Sequence, residues 1–191
     1  MSIDWTTDLA DQLDWQWREH LRPRLDGLTD DEYRWEPVPG CWSVRERAAS
    51  TAPRTAGAGE YVYEFAYPEP EIPPVTTIAW RLAHLIVGVF AMRSASHFGG
   101  PPADWSSFEY AGTAARALAQ VDDAYATWLK GVRGLDADGL ARPCGPAEGP
   151  YADCPLSQLV LHINREALWH GAEISLLRDL YRWRKADDHA L

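Results

Sequence analysis

The chain is poor in cysteine. Only Cys41, Cys144 and Cys154 occur, too few and too scattered for a disulfide framework or a cysteine-rich zinc site. A reducing cytoplasm is the compartment expected on that ground. Cys154, just before Pro155 and a predicted helix start, is placed where a thiolate could be favoured, although an ordinary loop cysteine is the plainer reading. No apolar run reaches the roughly 20 residues that span a bilayer. The opening Met1-Ser2-Ile3-Asp4-Trp5 has no basic and apolar leader pattern. Basic stripes are also missing. With a formal net charge of −10, nothing is laid out to displace phosphate counterions. Neither nucleic acid nor membrane is an expected partner. There is no glycine-rich phosphate loop, nucleophile-elbow serine or nucleotide fingerprint, no internal repeat and no low-complexity tract.

Tryptophan is abundant: ten in 191 residues. That favours a rigid aromatic interior or an aromatic-lined cavity. The length fits one domain over residues 1–191. Apolar periodicity predicts four main helices. The first runs from about Trp5 to Leu25, with Leu9, Leu13, Trp17 and Leu21 as its stripe. The second runs from about Thr76 to Phe98, capped by Thr76 or Thr77 and stopped by Gly99-Gly100-Pro101-Pro102. The third, about Thr113 to Gly131, carries Leu118, Val121, Tyr125, Trp128 and Leu129 on one side. The fourth spans about Pro155 to Trp183, with Pro155 in its first turn. Between the first two lies an irregular insertion, Pro37 to Val75, whose alternating run Tyr61 to Tyr67 predicts one or two short strands or an extended flap. Trp42 is expected to turn inward, and a loop this long and aromatic reads as the wall or lid of a pocket. The fold class is all-α, a four-helix bundle with a long insertion between helices one and two. Such bundles build metal sites from side chains that project inward from facing helices.

Glu166 and His170 are four residues apart on the fourth helix, so they stack on one face with Cβ atoms roughly 5–6 Å apart and can hold the same divalent ion. With His162 as origin of a helical wheel, Glu166 falls near ~40°, His170 near ~80° and Glu173 near ~20°. This makes a continuous polar band beside the apolar Ile163, Ala167 and Ile174. The bland alternative is the solvated face of an amphipathic helix. His84, in the apolar run Trp80-Arg81-Leu82-Ala83-His84-Leu85-Ile86, could supply a third ligand; alone it would read as a core histidine. Two histidines and a glutamate leave coordination positions open, the catalytic rather than the structural pattern. His162 reads as a residue of the pocket mouth or an acid/base group one turn from the ligands. His20, His97 and His189 have no such context and read as surface residues.

The order of elements resembles the DinB superfamily and, within it, the mycothiol-dependent maleylpyruvate isomerase type of domain. The likeness rests on Thr77-Ile78-Ala79-Trp80-Arg81-Leu82-Ala83-His84-Leu85, on Gly40-Cys41-Trp42-Ser43 and on Glu166-x-x-x-His170. It implies a four-helix bundle holding a divalent metal on His84, Glu166 and His170. Many relatives have His-x-x-x-His on the last helix; the maleylpyruvate isomerase branch has Glu-x-x-x-His. Many also read His-Arg-Gly-Gln after the last ligand, whereas this chain has His170-Gly171-Ala172-Glu173, so Glu173 is expected to orient a ligand from behind. The maleylpyruvate isomerase carries an additional C-terminal domain. This sequence stops at Leu191 and is expected to lack it, so that specific isomerase activity is not carried over.

The resemblance implies zinc first, with nickel as an alternative, and mycothiol or a similar small thiol as cosubstrate; two histidines and one carboxylate by themselves would also suit ferrous iron, ranked lower. The expected function is thiol-dependent S-transfer or isomerisation of a small electrophile. The alternatives are a metal-assisted hydrolase and a non-catalytic, dimeric stress or binding protein. The expected partners are a small-molecule substrate and a second copy of the chain. Trp42, Trp80 and His162 are the candidate substrate contacts, with core packing as the rival reading of each. Arg45 and Arg47 could hold a carboxylate from the insertion, with solvated arginines as the plainer reading.

Overall fold

A computed structural model describes residues 4–188; His189 and its expected surface position lie outside the described residues. The molecule is mostly helical with one small sheet. The first rod, α1 (residues 5–24), starts at an Asp4 cap that accepts from the Thr7 amide at 3.1 Å. Leu13, Trp17 and Leu21 of its predicted stripe are buried, and Leu9 packs against them half-buried. Pro23 lies in its last turn. A short helix, α2 (Asp30–Tyr33), follows behind a Thr29 cap.

The insertion forms three antiparallel strands, β1 (Val44–Glu46), β2 (Arg54–Ala56) and β3 (Tyr61–Phe65), in the order β1-β3-β2. The alternating aromatic run is the central strand, with Val44 opposite Tyr63 and Arg54 opposite Phe65. That is one strand more than the sequence predicts, because the flanking segments have little alternation of their own. The sheet packs against the next rod, α3 (Ile78–Phe98). Thr77 is its cap, accepting from the Trp80 amide, and Gly99 ends it in the left-handed region (φ 66°). By length and composition α3 is apolar enough to cross a membrane, contrary to the expectation that no run is, but 56% of its apolar window is buried inside the fold.

Two further rods complete the bundle: α4 (Ala114–Arg133), capped by Thr113, and α6 (Leu156–Asp188). Between them lie α5 (Ala137–Ala141) and a 3-10 turn over Pro146–Tyr151. Val121, Tyr125, Trp128 and Leu129 of α4 are buried as their spacing predicts. Trp17 stacks on Tyr125 at 4.2 Å, joining α1 to α4. A Cβ on Gly171 would come within 2.8 Å of Leu21, so glycine allows α1 to approach α6 directly after His170. The wide turns within α1 and α3 have no signature in the sequence. They are π-helical over Gln16–Leu21 and Leu85–Ala91, and the second begins immediately after His84. Such irregularities occur often at functional sites.

Candidate metal centre

His84 on α3 and Glu166 and His170 on α6 bring one donor atom each into a cluster whose atoms lie within 4.8 Å of one another. Donors bound to one ion at about 2.0–2.2 Å are at most about 4.4 Å apart, so the cluster is slightly wider than a closed site. Glu166 is held at the helical spacing, its Oε2 3.3 Å from His170 Nε2. The two imidazole rings meet edge to face, centroids 4.6 Å apart.

The surroundings fix which nitrogens are free. His170 Nδ1 lies 2.7 Å from Glu173 Oε2, where its N–H donates to the carboxylate. Arg81 secures that carboxylate from α3, its Nε 3.1 Å from the same oxygen. With the proton on Nδ1, a neutral His170 presents its Nε2 lone pair to a carboxylate oxygen of Glu166. That contact is repulsive unless positive charge lies between the two atoms. His84 is held neutral. Burial first, then the repulsion a proton on His84 would meet from Arg81, Arg93 and any proton added to His170, push its pKa down to about 3. Its Nδ1 is buried without a hydrogen-bond partner. A neutral imidazole with an unmet nitrogen, beside a lone pair that faces a carboxylate, is a donor set that fits a divalent cation.

Aromatic rings hold His84 in place. Trp80, one turn earlier, lies parallel to it at 5.5 Å, and Trp105 flanks it at 5.8 Å. Trp80 is itself fixed by its indole N–H, which donates to Glu64 O at 2.8 Å, and by stacking on Tyr63. A Cβ on Gly88 would lie 2.6 Å from the Trp105 ring, so that glycine makes room for the indole. Trp80 therefore meets the cluster as the slot that holds His84.

Trp42 lies elsewhere. It is half-buried and lines a separate cleft with Arg45, Pro53 and Glu64, while its backbone bonds to Val75 and Thr77. Arg45 is spent on Glu36 and Glu64, and Arg47 on the carbonyls of Gly57 and Gly59, so both arginines brace the insertion. His162 lines a cleft whose walls do not include His84, Glu166 or His170. A cavity of about 540 Å³ opens beside α6, walled by His162, Arg165, Arg93, Tyr151, Cys144 and Cys154 among others. His162 Nδ1 is 3.8 Å from Glu166 and 2.9 Å from Arg165 Nη2. Accepting from the guanidinium leaves the His162 proton on Nε2.

His97 is not a surface residue. Its side chain is 2% exposed and its Nε2 lies 2.9 Å from Glu148, which also pairs with Arg93. The partners are 51 residues apart in sequence, so no local pattern announces them. Arg81 and Trp105 also escape sequence reasoning. An arginine three residues before His84 in an otherwise apolar run was the available signal for Arg81; Trp105, in a loop after Pro101-Pro102, had none.

The family model of the DinB superfamily matches residues 55–174, more than half of the chain. Comparison with curated proteins and with solved structures gave no match. The matched stretch begins in β2 and runs through α3, α4 and α6 to Ile174. It takes in His84, Glu166, His170 and the central strand β3 behind Trp80, and on that ground the chain belongs to the DinB superfamily.

Proposed function

We propose that the chain is a divalent-metal-dependent enzyme that uses a small thiol, of the mycothiol kind, in S-transfer to an electrophile or in its isomerisation. The observation that carries the metal reading is His170 Nε2 facing Glu166 Oε2 at 3.3 Å while Glu173 occupies Nδ1. His84, Glu166 and His170 would hold the ion, with zinc ahead of nickel and iron. A divalent ion supplies Lewis acidity there, favouring the anionic form of a thiol or a water. The thiol reading is supported by the likeness of Glu166-x-x-x-His170 to the maleylpyruvate isomerase branch. In S-transfer the thiol sulfur bonds to the electrophilic carbon, that carbon's bond to its leaving group breaks, and the group departs with the bonding electron pair as the thiol gives up its proton. In isomerisation the same C–S bond breaks again and the thiol is returned.

The chain's own residues divide the remaining work. Glu173 and Arg81 fix the His170 tautomer, and Trp80 and Trp105 hold the His84 ring. His162, at the mouth of the cleft, would donate a hydrogen bond from Nε2 to an anionic substrate atom. A second copy of the chain suits the outer face of α6, where Leu161, Trp169, Leu176 and Trp183 are all more than half exposed. Elemental analysis should find about one divalent ion per chain, lost in Glu166→Ala and in His170→Ala. A wild-type chain that folds without metal and takes up none when supplied removes the enzyme reading. Given bound metal, turnover of an electrophile only with thiol present supports transfer or isomerisation; equal turnover without thiol points to hydrolysis.

A further inference from the structure

Cys144 and Cys154 lie opposite each other across a short antiparallel ladder. Pro143 pairs with Pro155, the Cys144 amide donates to Cys154 O at 2.9 Å, and the Leu156 amide to Arg142 O at 2.9 Å. That bridge sets residues 144 and 154 across from one another, joined by this one backbone bond while the Cys154 amide turns to Tyr151 O; cross-strand neighbours of this kind have Cα atoms about 4.5–5.5 Å apart, and both side chains reach the same cleft. Disulfides bridge Cα atoms roughly 4.4–6.8 Å apart. Both cysteines line the large cleft that His162 also walls. Between them run Gly145 (φ 86°) and Gly149 (φ 53°), backbone points at which the loop can adjust as the sulfurs close.

We infer that Cys144 and Cys154 are a reversible dithiol–disulfide pair in the cleft wall, oxidised by low-molecular-weight disulfides. Cys154 is the half-buried member and Cys144 the buried one, so Cys154 meets the oxidant first. Its thiolate attacks one sulfur of the small disulfide, forming a mixed disulfide on Cys154 and releasing one small thiol. The Cys144 thiolate then attacks Cys154 Sγ and expels the second small thiol. Two protein thiols lose two protons and two electrons, and one small disulfide becomes two thiols. Burial, with Glu148 nearby, pushes the Cys144 thiol up, which suits it to this second, resolving role. Cys41 stands apart: it is buried, lines the Trp42 cleft, and donates from Sγ to Val38 O.

The test uses the full chain in glutathione buffers of increasing oxidised fraction, quenched with iodoacetamide and read by intact mass and peptide mapping. Alkylatable thiols should fall from the three of the reduced chain to Cys41 alone. The mass should drop by two hydrogens, and one peptide should join Cys144 to Cys154 within a chain. In Cys144→Ser the glutathione adduct on Cys154 should accumulate, because nothing resolves it. The inference is overturned if wild type stops at a stable glutathione adduct, if it cross-links only between chains, or if all three thiols stay alkylatable at every buffer ratio. None of these readouts involves metal content or turnover.

Discussion

Two buried polar sites share α6, and they are finished differently. In its C-terminal half Arg178, 1% exposed, has all three side-chain nitrogens engaged: Nε and Nη2 reach Glu32 at 2.7 and 3.0 Å, and Nη1 reaches the carbonyls of Arg24 and Asp26. Charge and geometry close within the protein, and the pair ties α6 to α2 and the end of α1. Two turns earlier, the cluster of His84, Glu166 and His170 is left open. Among the described residues one imidazole nitrogen has no hydrogen-bond partner, and another faces a carboxylate oxygen at 3.3 Å. A buried polar group that only holds a fold together is expected to satisfy its partners. One that holds a ligand leaves that satisfaction to the ligand. The contrast separates architecture from function on a single helix.

The contrast breaks first, and most heavily, at the closed site. Arg178→Leu strands the Glu32 carboxylate in the interior and leaves two carbonyls without donors. The expected loss is about 3–5 kcal/mol in urea unfolding, with metal uptake per folded chain unchanged. Replacing Arg178 and Glu32 together by apolar residues should recover much of that loss, since removing both charges is milder than removing one. A single variant as stable as wild type would show that Arg178 is no structural anchor.

This division was only partly legible in the sequence. Glu166 and His170 could be read directly, because i,i+4 spacing on a helix fixes their relation without tertiary knowledge. His84, whose apolar run alone reads as a core histidine, joined them through its pairing with Glu166 and His170 and the family resemblance. The helices followed from Leu13, Trp17, Val121 and Tyr125 at helical steps, with Thr77 and Thr113 at their starts and Gly99 as a stop. Arg81, Trp105 and the pair His97–Glu148 stayed hidden, because their meaning comes from chain segments that meet only after folding. The same holds for Arg45 and Arg47. They looked free to hold a substrate carboxylate until the sheet brought Glu64, Gly57 and Gly59 to them.

A milder change sharpens the open site without emptying it. Glu173→Gln keeps an oxygen near His170 Nδ1 but removes the charge shared with Arg81. Metal affinity, measured by competition with a chelating dye, should weaken about 10–100-fold. Unfolding free energy should move by less than about 1 kcal/mol, since Glu173 is partly exposed. A stability loss as large as that of Arg178→Leu would place Glu173 on the architectural side of the comparison.

The smallest effect is a slope in metal-free protein. His84 has an ordinary pKa of 6.5 and is pushed down to about 3 in the fold, by burial first and by neighbouring positive charge second. Below 6.5 the unfolded chain takes up a proton there that the native chain refuses. The contribution of the neutral imidazole is therefore complete above 6.5 and is lost as pH falls from 6.5 toward 3. In chelator-treated protein, unfolding free energy should decline by on the order of 1 kcal/mol per pH unit in that window. Measurement between about pH 7 and about pH 5 stays above most carboxylate titrations. His84→Leu should flatten the slope while leaving stability at neutral pH nearly unchanged, because it removes a buried nitrogen that had no partner. An unaltered slope in His84→Leu would mean that the proton-linked loss arises elsewhere in the fold and that His84 does not sit there as a neutral donor.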